Sequence, residues 1–180
     1  SAIGWRALHT LNAGANGNNT AVGADAGLQM TTGVSNTLIG SLAGDALTTG
    51  SFNIALGKSA LGAEDTLDGN TAIGFAALSV QDGGSQNTAL GYQAGDVVST
   101  GDNNTIIGAG AGDNLTTGTN NVLVGAGAGD VLAAGNNNVI IGRDTSLEGD
   151  GNSGCIIIGE GQTGLGSQTT LIGSTATTKA

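Results

Sequence analysis

The chain has 180 residues, 35 of them glycine, with no proline, one tryptophan, one tyrosine and two phenylalanines. So few large side chains exclude an ordinary mixed core, and the interior has to be built thinly and regularly from Ala, Val, Ile and Leu. Fourteen acidic residues against four basic ones give a net charge of -10, which argues against gripping a nucleic-acid backbone, while 38% apolar and only 10% charged residues argue against disorder.

From its first residues the chain is a repeat. Ser1-Ala2-Ile3-Gly4 opens inside one, so the sequence reads as a piece of something longer, with any targeting signal missing from it. Asn19-Thr20-Ala21-Val22-Gly23 follows and returns with small changes, its closing glycine falling at Gly4, Gly23, Gly40, Gly57, Gly74, Gly91, Gly108, Gly125, Gly142, Gly159 and Gly173. The steps are 19 residues, then eight of 17, then 14. Four residues before the glycine an asparagine recurs without a break from Asn19 to Asn138, and three residues after it an alanine recurs from Ala7 to Ala128. A second glycine stands ten residues on, at Gly14, Gly33, Gly50, Gly84, Gly101, Gly118 and Gly135, with Leu67 the exception. Glycine and asparagine at fixed places punctuate turns, and glycines so placed exclude a helix at a cost of about 1 kcal/mol each relative to alanine.

Between the corners the segments are β-branched, as in Thr105-Ile106-Ile107 and Val139-Ile140-Ile141, which favours strands. The fold expected is all-β: a parallel β-solenoid or β-roll of about ten 17-residue coils over residues 1–180 as one repeat domain. At about 4.8 Å per coil it makes a rod of roughly 50 Å, with stacked asparagines hydrogen-bonding along its axis. The residue before the repeat glycine (Val22, Ile39, Leu56, Ile73 and onward) is read as core. The residue before that (Ala21, Leu38, Ala55, Ala72 and onward) is apolar too and must face the other way. A strand apolar on both faces is covered on both, so the second column is assigned to contact with another chain. Its bulkier members after Ile106 predict a tighter contact in the C-terminal half, so that Ile140→Asp would disrupt assembly more than Ala72→Asp.

Repeats such as Asn70-Thr71-Ala72-Ile73-Gly74-Phe75-Ala76-Ala77-Leu78 and Asn87-Thr88-Ala89-Leu90-Gly91-Tyr92-Gln93-Ala94-Gly95 resemble those of bacteriophage tail fibres. They are also similar to the head repeats of YadA-type trimeric autotransporter adhesins. The resemblance covers nearly the whole chain and implies a homotrimer of left-handed β-rolls used for attachment, in a virion tail fibre or on a bacterial surface, with a host glycan or protein as receptor. The 17-residue period is longer than the usual adhesin-head repeat, and only the last step of 14 approaches it.

Chemistry-bearing residues are sparse. Apolar runs such as Cys155 to Ile158 fall far short of the roughly 20 residues a membrane helix needs, and a lone Cys155 makes neither an internal disulfide nor a zinc site. Gly149 to Gly154 and Gly159 to Gly164 formally match a dinucleotide fingerprint, but each precedes another strand rather than a helix. His9 is the only histidine, read as a solvated loop residue, and no nucleophile sits with an identifiable base, so no enzyme is expected. Aspartates five residues after the glycine recur at Asp45, Asp96, Asp113 and Asp130; the last three occupy successive coils, where Ca2+ is the cation that would bridge such carboxylates and turn formation the alternative. The position after the glycine is the most varied and carries Trp5, Lys58, Phe75, Tyr92 and Arg143. Rings beside a cation suit a sugar or surface contact, with plugging of a groove between chains as the competing role. Threonine pairs at Thr31-Thr32, Thr48-Thr49 and Thr116-Thr117 raise an ice-binding face, but the column lapses at Asp65, Asp82 and Ala133.

Overall fold

In a computed structural model of the chain, residues 1–12, 17–62 and 66–173 are described; Gly14 and Asp65 of the repeat columns lie outside them. The described residues contain no helix. Thirteen short strands form: β1 Ala2–Ile3, β2 Thr20–Val22, β3 Thr37–Ile39, β4 Ile54–Leu56, β5 Thr71–Ile73, β6 Thr88–Leu90, β7 Thr105–Ile107, β8 Val122–Val124, β9 Val139–Ile141, β10 Ser146–Leu147, β11 Ile156–Ile158, β12 Thr163–Gly164 and β13 Thr170–Ile172. Eleven make one parallel sheet in the order β1-β2-β3-β4-β5-β6-β7-β8-β9-β11-β13, and β10 pairs with β12. The register is that of the repeat: Thr71, Ala72 and Ile73 lie against Thr88, Ala89 and Leu90 of the next coil. The chain is a β-solenoid of about ten turns.

The repeat glycine sits at the end of each strand with φ near +138°, as at Gly40 and Gly108. A Cβ there would run into the carbonyl of the matching glycine one coil on, Gly57 against Gly40 and Gly125 against Gly108. Both the dihedral and the close approach of neighbouring coils therefore demand glycine.

The asparagine column is an internal wall. Asn36, Asn70, Asn87, Asn121 and Asn138 are fully buried. Asn121 shows the pattern: its amide nitrogen donates to Asn104 Oδ1 at 3.0 Å and to the Gly135 carbonyl at 2.9 Å, and its backbone N–H donates to the same Asn104 oxygen at 3.0 Å. The side chains thus tie neighbouring coils together and span the interior to the second glycine, or to the residue in its place, Leu67 for Asn53 and Asn152 for Asn138, satisfying polar groups that burial would otherwise penalise. Cys155 takes the next place, its N–H donating to Asn138 Oδ1 at 2.9 Å.

The two strand faces are the reverse of the sequence reading. Ala21, Leu38, Ala55, Ala72, Ala89, Ile106, Leu123, Ile140 and Ile157, two residues before the glycine, are completely buried and form the core of the single chain. The residues immediately before the glycine point outward: Leu56 is 42% and Leu90 44% exposed, and Val22, Ile73, Ile107, Val124 and Ile141 are half-buried. Ile140 and Ala72 are therefore both core positions, and the proposed difference between them as contact residues does not hold. Alternation says only that the two columns oppose one another; with both apolar, it does not say which is inside. The asparagine column settles the matter, because it lies two residues from the buried column and so shares its face. The rest of the core comes from the Ala26 to Ala128 column and from Met30, Leu47, Val98, Leu115 and Leu132, seven residues after the glycine.

Candidate functional site

Beyond the repeat glycine the chain leaves the sheet, and the next residue stands at that corner, one per coil. There the rings of Phe75 and Tyr92 stack with centroids 5.3 Å apart and planes 12° from parallel. The spacing is close to one coil step, so the ring faces look along the rod axis. Neither ring is buried: Phe75 is 43% and Tyr92 57% exposed. Lys58 occupies the preceding coil, is exposed, and makes no ion pair among the described residues. The structure thus brings together the three successive members of the sequence-derived patch.

It does not bring in the two outlying ones. Trp5 is 74% exposed but stands four coils from Phe75, about 19 Å along the axis. Arg143 lies three coils beyond Tyr92 and is held by Asp144 at 2.8 Å and by Glu160 on the next coil. Between Tyr92 and Arg143 the column carries only Ala109 and Ala126, both exposed. Gly110 donates its N–H to the Tyr92 carbonyl at 2.9 Å, and a side chain built on Gly110 would meet nothing within 4 Å.

The aspartates stand one per coil and do not converge. Among the described residues no group of three or more His, Cys, Asp or Glu is placed to hold a metal; at about 4.8 Å per coil, the first and third of Asp96, Asp113 and Asp130 are about 10 Å apart. Burial pushes the Asp113 pKa above its ordinary value, and the charges of Asp130 and Asp96 push it the same way. Burial likewise raises Asp96 and Asp45, Asp45 with a further push from Asp25. In Asp45 and Asp113 the carboxylate also accepts from backbone N–H groups of its own turn, the arrangement expected of aspartate at a corner.

A cavity of about 510 Å³ opens beside Ser1, Leu8, Leu11, Asn18, Asn19 and Thr20; none of these side chains is a carboxylate, imidazole or thiol. His9 is exposed in a turn. The glycine-rich stretches at 149–154 and 159–164 run into β11 and β12, with no helix after them.

Two features escaped the sequence reading. Eleven residues after the repeat glycine, an oxygen-bearing side chain accepts the backbone N–H of its counterpart one coil earlier: Ser51 N–H to Asp68 at 2.7 Å, Ser85 N–H to Asp102 at 2.7 Å, and Thr119 N–H to Asn136 at 2.8 Å. The signal was present in the run Ser51, Asp68, Ser85, Asp102, Thr119, Asn136, Ser153, short side chains each carrying an oxygen. The second is the outward sheet face. Three residues before the glycine stand Thr20, Thr37, Ile54, Thr71, Thr88, Thr105, Val122, Val139 and Ile156, on the same face as the Ile, Leu and Val just before it. Two parallel ladders of mostly β-branched side chains, stiff about χ1, therefore run the length of the sheet. Compared with known protein families, characterised proteins and solved structures, the chain matches none.

Proposed function

We propose that the chain is a non-enzymatic structural and attachment segment, a rigid rod of the kind used in phage tail fibres, which assembles with copies of itself through its outward sheet face. The observation that carries this reading is the continuous outward sheet face, a ladder of Val, Ile and Leu beside one of Thr, Ile and Val. Eleven strands at about 4.8 Å extend it to about 50 Å, and two columns about 7 Å apart with their side chains make it about 12 Å wide. That is roughly 600 Å² of continuous, largely apolar surface, at the upper end of what a monomer leaves exposed. A pair of such faces buries about 1,200 Å² in total, the lower end of a stable interface.

A homotrimer, as the repeat resemblance implies, would let every copy cover this face against its neighbours. The setting would then be a virion tail fibre with a host-surface glycan or protein as its target; a trimeric adhesin head on a bacterial surface is the alternative with the same assembly. A third reading is supported by one feature. The outward ladder carries Thr20, Thr37, Thr71, Thr88 and Thr105, and a stiff array of threonines suits an ice lattice.

Sedimentation of the purified chain tests the assembly. Wild type should run as an oligomer at micromolar concentration, and Ile107→Asp, on the outward face, should reduce its mass. A folded wild-type monomer overturns the proposal. If that monomer also retards ice-crystal growth, the face belongs to ice instead.

A further inference from the structure

We infer that the free face of Tyr92, with the open shelf beyond it, is a binding site for a pyranose sugar. This goes beyond the assembly proposed above and uses a different surface, the corner after the repeat glycine rather than the sheet face before it. Phe75 covers one face of the Tyr92 ring at 5.3 Å in a nearly parallel stack, and that support fixes the orientation of its partner. The opposite face of Tyr92 looks along the rod toward the next coil, where the matching residue is only Ala109 and where the space beside Gly110 is empty. The following coil carries Ala126 and Gly127, and there the shelf ends: a Cβ built on Gly127 would lie 2.8 Å from the carboxylate of Asp144, which belongs to the ion-paired group of Arg143, Asp144 and Glu160. From Tyr92 to Gly127 is two coils, about 10 Å, room for one sugar ring laid on the tyrosine with its hydroxyl rim turned toward the Asp144 carboxylate. The C–H face of a pyranose is apolar and its rim is hydroxyl-bearing. An exposed ring, supported from behind by Phe75 and facing charged acceptors and donors across the shelf, matches both halves of that chemistry.

The column itself supplies the controls. It accommodates rings at Trp5, Phe75 and Tyr92, so Ala109→Phe should fold, extend the stack and cover the free face, whereas Ala126→Phe, one coil farther, should leave that face open. The chain has a single tyrosine, so saturation transfer in NMR from the Tyr92 ring to the C–H protons of methyl glucoside, methyl galactoside and methyl N-acetylglucosaminide can be read without ambiguity. Transfer to at least one glycoside is expected in wild type and in Ala126→Phe, falling to background in Ala109→Phe and Tyr92→Ala while the sedimenting mass stays that of wild type. The inference is overturned if no glycoside receives transfer, or if Ala109→Phe binds as well as wild type. A fall in oligomer mass in Tyr92→Ala also overturns it, because the rings would then be filling a groove between copies. Loss of wild-type assembly with sugar transfer intact would refute the proposed function alone.

Discussion

The coils closed by Gly57, Gly74 and Gly91 and those closed by Gly108, Gly125 and Gly142 fill one cross-section in two ways. In the later group the strand supplies the bulk, Ile106, Leu123 and Ile140 pointing inward, and the position four residues after the glycine is small, as at Gly112, Gly129 and Ser146. In the earlier group the strand contributes only Ala55, Ala72 and Ala89, and the corner fills the space with Leu61 and Leu78, both buried. The exchange runs within a coil, where a Cβ at Gly44 would lie 2.9 Å from Leu38 and one at Gly129 2.9 Å from Leu123, and between neighbouring coils. A Cβ at Gly95 would lie 2.8 Å from Ile106 of the next coil and one at Gly27 2.8 Å from Leu38, whereas Leu61 and Leu78 precede Ala72 and Ala89.

The two solutions differ in strain. Leu61 and Leu78 hold φ of 53° and 49°, a conformation that costs a non-glycine residue about 1–2 kcal/mol, offset by burying a leucine at about 1.5–3 kcal/mol. The earlier coils also contain Gln81 at the position held by Met30, Leu47, Val98, Leu115 and Leu132 on others; its Oε1 is buried without a partner, although its amide donates to the Gly84 carbonyl at 2.6 Å. Outside, the large side chains Lys58, Phe75 and Tyr92 stand on the earlier coils, while the later ones carry Ala109 and Ala126 before Arg143.

The largest effect tests whether the two regions share one core. Ile140→Asp and Ala72→Asp should both abolish folding, because an unpaired carboxylate at either place outweighs much of a total stability of about 5–15 kcal/mol. Circular dichroism that finds either variant folded with near-native stability would break the equivalence. Next comes the exchange between corner and strand. Leu78→Gly alone should cost about 2–5 kcal/mol through the cavity it leaves, and Ala89→Leu alone about 1–3 kcal/mol through overpacking. The double variant, which converts an earlier coil to the later kind, should be more stable than the sum allows; strict additivity in denaturant unfolding would mean that the two positions do not share the same space.

The smallest effect is electrostatic and falls where the row of Asp96, Asp113 and Asp130 crosses from the earlier coils into the later ones. Folding raises the pKa of Asp113 through burial and the charges of Asp130 and Asp96, so the folded chain holds that proton more tightly than the unfolded one. Stability is then gained as pH falls from neutrality toward the carboxylate range and lost as pH rises again. The melting temperature should therefore increase modestly as pH falls from 7 toward about 4, the ordinary carboxylate range. Asp113→Asn should raise it at pH 7 and shrink the gain; a variant with the full wild-type pH dependence would remove Asp113 from the account.

How much could be read in advance follows from what repeats and what does not. A period of 17 residues with glycine and asparagine at fixed places determined by itself that the chain coils, that its strands are parallel and in register, and that its asparagines stack. Identical residues at identical places can pair only with themselves one coil on. The cluster of Lys58, Phe75 and Tyr92 was legible for the same reason, since one varied position per coil becomes one row on the rod. Which strand face lies inside was decided only by the tertiary structure. Both faces are apolar, and the choice rests on the buried asparagines, whose amides bond across the interior to the far corner and carry inside with them the column two residues on. The separation of Trp5 and Arg143 from the patch, the failure of the aspartates to converge, and the exchange of bulk between Leu78 and Ala89 also depend on distances in space. They depend on the rise per coil and on contacts between coils, which no column of residues specifies by itself.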